Sequence, residues 1–97
     1  MPTPTEATAS DARRSALMAA AQAGDHAGYR TLLRECVPFI RSIAARRVSA
    51  DLIDDVVQET LLTVHRARHT YDARRSFNAW LHTLADRRAI DVVRRAS

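Results

Sequence analysis

Along most of this chain apolar residues recur at intervals of three and four, the period of a helix with one buried face, and few residues interrupt the pattern. Two glycines and three prolines among 97 residues leave little scope for the turns a sheet protein needs. Ala, Arg and Leu, all good helix formers, make up much of the remainder. The pattern predicts an all-α fold, a compact bundle of about four helices. A chain of this length forms one domain and buries only roughly two thirds of the surface its unfolded form exposes.

The punctuation places the helices. Met1 to Thr5 has nothing to bury, and residues 1–9 are expected to form a disordered tail ahead of a domain spanning 10–97. Ser10 or Asp11 is suited to cap a first helix that ends near Ala23, with Leu17, Met18 and Ala21 as a narrow inward stripe. Gly24 ends it. Asp25 then caps a helix in which Tyr29, Leu32, Leu33, Val37, Ile40 and Ile43 or Ala44 face inward, with a kink expected at Pro38. A third helix is expected from a Ser49 or Asp51 cap to about His69, burying Leu52, Ile53, Val56, Val57, Thr60, Leu61 and Val64. After the polar link Tyr71 to Arg75, Ser76 caps a fourth helix with Phe77, Trp80, Leu81, Leu84, Ala85, Ala89 and Val92 inward. At core spacing Trp80 reads as buried, and Tyr71 as an anchor for the link.

Charge is divided along the chain. The net charge is +4, every basic residue being Arg, yet Asp51 to Glu59 carries four acids and no base. Arg66 to Arg95 carries eight arginines against Asp72, Asp86 and Asp91. Such a division suits two partners of opposite character. Asp54, Asp55, Gln58 and Glu59 fall between the apolar positions of the third helix and so share an outward face, with Leu62 nearby. Arg74, Arg75, Arg87, Arg88, Arg94 and Arg95 lie on or beside the fourth helix and can neutralise several phosphates. Asp91 is spaced for a local ion pair with Arg94 or Arg95.

Other chemistry finds little support. A lone Cys36 excludes an internal disulfide and suits a reducing, cytoplasmic setting, where it reads as a small core residue. His65 and His69 stand one helical turn apart, with Cys36 or His82 as remote further ligands, but no clear third ligand accompanies them. There is no phosphate-cradling glycine loop and no nucleophile with a base, so no enzyme, cofactor, metal site or small-molecule substrate is expected.

The run DDVVQETLL, the link with SFNAWL and the tail RRAIDVVRR together resemble region 2 of the extracytoplasmic-function (ECF) group of sigma-70 family sigma factors. The likeness is strongest from Asp51 to Arg95 and extends back to AGDHAGYRTLL. It implies a domain that binds core RNA polymerase through the beta-prime subunit coiled coil, with Asp54, Asp55, Gln58, Glu59 and Leu62 as contacts. It further implies that the fourth helix and the link, about His69 to Asn78, hold and help melt the promoter minus-ten element. One base of the non-template strand would enter a pocket at the link, with Arg74, Arg75, Asn78, Arg87, Arg88, Arg94 and Arg95 facing DNA. Thr83 and Leu84 stand where housekeeping members place an aromatic wedge. Arg87 stands where many members have Asn.

The resemblance also implies an anti-sigma factor partner, in some members membrane-bound, and a role in stress response. The second, helix-turn-helix domain of such factors (region 4) has no counterpart after Ser97, so the chain is expected to be an isolated first domain, truncated or naturally short. The principal alternative is a protein-interaction domain, or decoy, that binds an anti-sigma factor without promoter function.

Overall fold

The computed structural model describes residues 5–97, which form four helices: α1 (Glu6–Gln22), α2 (His26–Ala44), α3 (Ile53–Ala67) and α4 (Phe77–Ala96). A short 3-10 turn, Ala50–Leu52, leads into α3. The all-α bundle expected from the sequence is what forms. Helices α2 and α4 each pack against the other three, and α1 lies across both. One apolar core runs through all four helices, with Met18, Leu32, Ile40, Val56, Phe77 and Leu81 fully buried.

The entry into α1 differs from expectation. Thr5 is the cap, its hydroxyl accepting from the Thr8 amide at 3.1 Å, so residues 6–9 are helical and not part of a disordered tail. Residues 1–4 lie outside the described residues. Ser10 Oγ instead donates to the Ala7 carbonyl inside the helix. Asp11 caps another helix altogether: its carboxylate accepts from the Asn78 amide at 2.8 Å, beside Ser76 Oγ, which accepts from the Ala79 amide at 3.0 Å. Two of the orphan N–H groups at the start of α4 are thereby satisfied, one from 67 residues away in sequence. Asp11→Ala is therefore expected to cost about 1 kcal/mol through α4 and not α1. Hydrogen exchange at Asn78 and Ala79 would report where the protection is lost.

At the other end of α1, Gly24 takes φ 110°, a left-handed conformation that costs glycine nothing. It lets the Ala23, Gly24 and Asp25 amides turn back onto the last carbonyls of the helix. Asp25 then caps α2 as expected, accepting from the Gly28 amide at 2.9 Å.

Helix α2 continues through Pro38 as a single helix. Pro38 is exposed, so the Arg34 carbonyl that loses its N–H partner sits on the solvent side. Ser49 and Asp51 do not cap α3 directly. They bond to each other, Ser49 Oγ to Asp51 Oδ1 at 2.6 Å, and the 3-10 turn supplies the entry. The one fully buried polar side chain among the described residues is Thr60, whose hydroxyl is satisfied by the Val56 carbonyl at 2.7 Å. Cys36 is core, and burial pushes its thiol up to about 12. Ellman's reagent should leave Cys36 untouched in the native domain and react promptly in denaturant.

Candidate functional site

The link between α3 and α4 is a built structure. Asp72 Oδ1 accepts from the Arg74 amide at 2.9 Å, and the Arg75 amide donates to the Asp72 carbonyl at 2.9 Å, closing a tight turn. The Arg74 guanidinium reaches back to both Asp72 oxygens, its Nη2 at 2.9 Å. Beneath the turn Tyr71 is buried, and its hydroxyl donates to the Arg75 carbonyl. Tyr71, Phe77 and Trp80 form a mutual aromatic cluster with ring centres 5.2 to 5.6 Å apart.

Helix α1 holds this turn from behind. Gln22 Nε2 donates to the Arg68 and Tyr71 carbonyls, each at 2.8 Å. Ser15 Oγ lies 2.9 Å from the Ala73 carbonyl and 2.8 Å from the Tyr71 hydroxyl, so two hydroxyl protons are shared among three contacts. Neither Ser15 nor Gln22 was singled out from the sequence. A polar residue on an amphipathic helix gives no local sign of the loop it will meet.

An open cavity of about 520 Å³ lies on this scaffold, lined by Thr70, Tyr71, Asp72, Arg75, Ser76, Ala79, Trp80 and Thr83. Its size falls in the range of small-ligand clefts. Trp80 packs against the core as its spacing predicted but is only partly buried, because its ring also lines the cavity. Beyond the cavity, Thr83, Arg87, Ile90 and Arg94 are all exposed and follow at helical spacing along the outer side of α4. Neither Arg75, Arg87 nor Arg94 enters an ion pair with the described residues.

The other sequence-selected positions separate from this group. Asn78 is partly buried, its amide oxygen accepting from Arg14 Nη1 at 2.9 Å. Arg88 pairs with Asp91 at 2.8 Å, one turn along α4, so Asp91's partner is not Arg94 or Arg95. The Arg88 Nε is buried without a partner. Arg95 pairs with Glu59 of α3, which joins a residue of the acidic group to one of the basic group. Asp54 pairs with Arg41 of α2 at 2.6 Å. Asp55, Gln58 and Leu62 remain as an exposed ridge on α3, Leu62 being 48% accessible. His65 contacts the Tyr29 hydroxyl at 2.9 Å, and His82 Nδ1 lies 3.3 Å from Asp86.

Residues 32–97 match the family described as Sigma-70 region 2. The chain belongs to that family. A relative, the ECF RNA polymerase sigma factor SigF of Caulobacter vibrioides, is 41% identical over 90 residues. That alignment covers 91% of this chain and 50% of the relative, so the chain spans about half the length of the curated relative it matches. Among solved structures, the chain is similar to the NMR structure of an engineered region 2 of sigmaE in complex with GTAAAA, with a TM-score of 0.76 and 28% identity. That match covers 82% of this chain and 84% of the other. The ECF-type region 2 resemblance read from the sequence is borne out.

For this region 2 domain the turn has a measurable electrostatic signature. The hydrogen bonds from the Arg74 side chain and then its amide hold the Asp72 carboxyl down to about 2, from an ordinary 3.8. A carboxyl depressed on folding contributes stability above pH 3.8 that is lost as the pH falls through about 2. Carbon-13 titration should place the Asp72 midpoint near 2, and Arg74→Ala should move it upward. No helix is long and apolar enough to cross a membrane among the described residues.

Proposed function

We propose that this region 2 domain is a transcription-initiation adaptor that joins core RNA polymerase to the promoter minus-ten element. The ridge Asp55, Gln58 and Leu62 meets the beta-prime coiled coil, with Asp54 and Glu59 flanking it. Two acidic or amide groups beside an exposed leucine give both register and contact area at a partner helix. The cavity at the α3–α4 turn takes one base of the non-template strand, and Arg75, Arg87 and Arg94 hold its backbone.

The observation that carries this reading is the cavity itself, open and rimmed by Trp80, Thr83 and Arg75, at the start of an exposed arginine-bearing helix side. An unpaired base offers edges to hydroxyls and a flat face to the indole, while the guanidiniums meet phosphate. That an engineered sigmaE region 2 of similar fold forms a complex with GTAAAA supports a short nucleic-acid strand as the partner. In this assignment Arg88, Arg95 and Asn78 act within the domain: their side chains are engaged with Asp91, Glu59 and Arg14. Their substitution should alter DNA binding less than that of Arg75 or Arg87.

Fluorescence anisotropy with labelled GTAAAA and scrambled single strands, at two salt concentrations, tests the proposal. The matched strand is expected to bind more tightly at both, with Arg75→Ala and Arg87→Ala each reducing the salt slope by about one unit. Equal affinity for every strand would reduce the domain to a nonspecific polyanion binder. The ridge on α3 is also the surface we assign to an anti-sigma factor, whose binding in a stress-responsive system would exclude polymerase.

Tyr71→Phe offers a further check on the turn. Losing the hydroxyl leaves the Arg75 carbonyl and Ser15 short of a partner, at a cost of about 1 kcal/mol. Strand affinity should fall several-fold while the aromatic cluster, read by near-ultraviolet circular dichroism, persists.

A further inference from the structure

Helix α1 differs from its neighbours in carrying a largely polar inward side. Asp11, Ser15, Met18 and Gln22 recur at helical spacing and share that side, yet among the described residues of α1 only Met18 is fully buried. Leu17 and Ala21 pack against the core in part. With so little apolar surface to bury, the helix depends for its placement on what its polar side chains bond to. Those bonds converge on one place. Asp11 accepts from the Asn78 amide, Arg14 Nη1 donates to the Asn78 side chain, Ser15 Oγ donates to the Ala73 carbonyl, and Gln22 Nε2 donates to the Arg68 and Tyr71 carbonyls. Among the described residues, every hydrogen bond from an α1 side chain to another element ends between Arg68 and Asn78, apart from those of Arg13 and Arg14 to Glu35. The family match begins at residue 32, so this brace lies ahead of the matched segment.

The link depends on the brace for its position. Its local bonds, from Asp72 to the Arg74 and Arg75 amides, close the turn without fixing where the turn sits on the bundle. That is set through carbonyls. Gln22 and Ser15 hold those of Arg68, Tyr71 and Ala73, and the Tyr71 hydroxyl, 2.8 Å from Ser15 Oγ, holds that of Arg75. Tyr71, Asp72 and Arg75 also wall the turn cavity, whereas Ser15 and Gln22 stand behind that wall and do not line it.

We propose that Ser15 and Gln22 are positioning residues for base selectivity: from α1 they fix the backbone that walls the turn cavity, so a helix that does not line the cavity sets how sharply one base is preferred. The inference rests on the proposed function, since it needs a base seated in that cavity. Long exposed guanidiniums follow a phosphate through a small shift, but a base edge is discriminated only by groups held to within about 0.5 Å. Loosening the brace therefore removes the base-dependent part of binding and leaves the backbone-dependent part.

Anisotropy of the full chain with fluorescein-labelled GTAAAA, and with copies in which each base is replaced in turn, measures selectivity position by position. Selectivity is a ratio of two affinities read on one protein sample, so a reduced folded fraction cancels from it; thermal melting checks that each variant is folded at the assay temperature. Gln22→Ala and Ser15→Ala should each lower selectivity at one position by about tenfold, with the salt slope unchanged. Gln22→Glu keeps the side chain's size but loses both donors, and should lose selectivity as Gln22→Ala does. Ser15→Thr keeps the hydroxyl and should retain it. Selectivity unchanged in both alanine variants would overturn the positioning role while leaving the turn cavity standing. An equal loss of affinity for every strand, with selectivity kept, would also overturn it by reducing α1 to a stabiliser of the fold. No selectivity in the unmodified domain would overturn this inference and the proposed function together.

Discussion

Phe77→Ala is expected to remove about 3–5 kcal/mol of folding free energy, the usual loss when a large buried aromatic is truncated. A domain of this size has roughly 5–15 kcal/mol in total, so the variant should be partly unfolded near physiological temperature. Phe77 has no exposed surface, is the first residue of α4, and stands edge-on to Tyr71 with ring centres 5.3 Å apart. Truncating it therefore strikes the core and the support of the turn cavity at once. Urea unfolding followed by circular dichroism should show a large drop in midpoint with little change in slope. Strand binding should fall further than the folded fraction explains, because Tyr71 and Trp80 lose the ring that fixes them. Phe77→Leu separates these effects: it should recover much of the stability but less of the strand affinity. A loss below 1 kcal/mol for Phe77→Ala would mean that the aromatic cluster does not hold the turn.

The second large effect concerns the acidic side. Asp55→Arg combined with Gln58→Ala should weaken binding to core polymerase on the order of a hundredfold, since a like charge placed opposite a basic partner costs several kcal/mol. Both residues are exposed and neither is in an ion pair within the described residues, so the fold should not change. Melting temperature within experimental error of the parent would confirm that, and GTAAAA affinity should hold or rise slightly as net positive charge increases. The comparison with Asp54→Ala is informative. Asp54 is paired to Arg41, and its loss should cost less affinity than the ridge residues do. Undiminished polymerase binding by the double variant would remove the ridge from the interface.

The Glu59–Arg95 pair ties the two surfaces together, an arrangement the charge pattern did not indicate. Read along the chain, Glu59 belongs to the acidic run and Arg95 to the basic tail. Their pairing follows from the packing of α3 on α4. A solvent-screened pair of this kind adds little stability, so it orients the two side chains more than it holds the bundle together.

Helix content, the inward stripes and the caps at Asp25 and Ser76 were legible because they depend on neighbours within four residues. The exposure of Asp55 and Gln58 followed from the same periodicity. Asp11 misled for a corresponding reason: a carboxylate near a helix start is locally a cap, but here it lies within α1 and its acceptor atoms are spent on α4. Trp80 was assigned to the core by spacing, yet its large ring reaches the rim, because period alone fixes a side chain's direction and not how far the neighbouring turn covers it.

The amino-acid order by itself thus determined four amphipathic helices, the division of acids from arginines and the membership in the sigma region 2 family. Tertiary structure alone decided which arginines remain available to a partner. Arg88 and Arg95 are taken up by Asp91 and Glu59, whereas Arg75, Arg87 and Arg94 face outward. It also decided that α1 grips the turn through Ser15 and Gln22, and that a cavity opens beside that turn. Periodicity is a property of a few consecutive residues, but an ion pair or a cavity wall is made by side chains whose separation in sequence carries no record of their meeting.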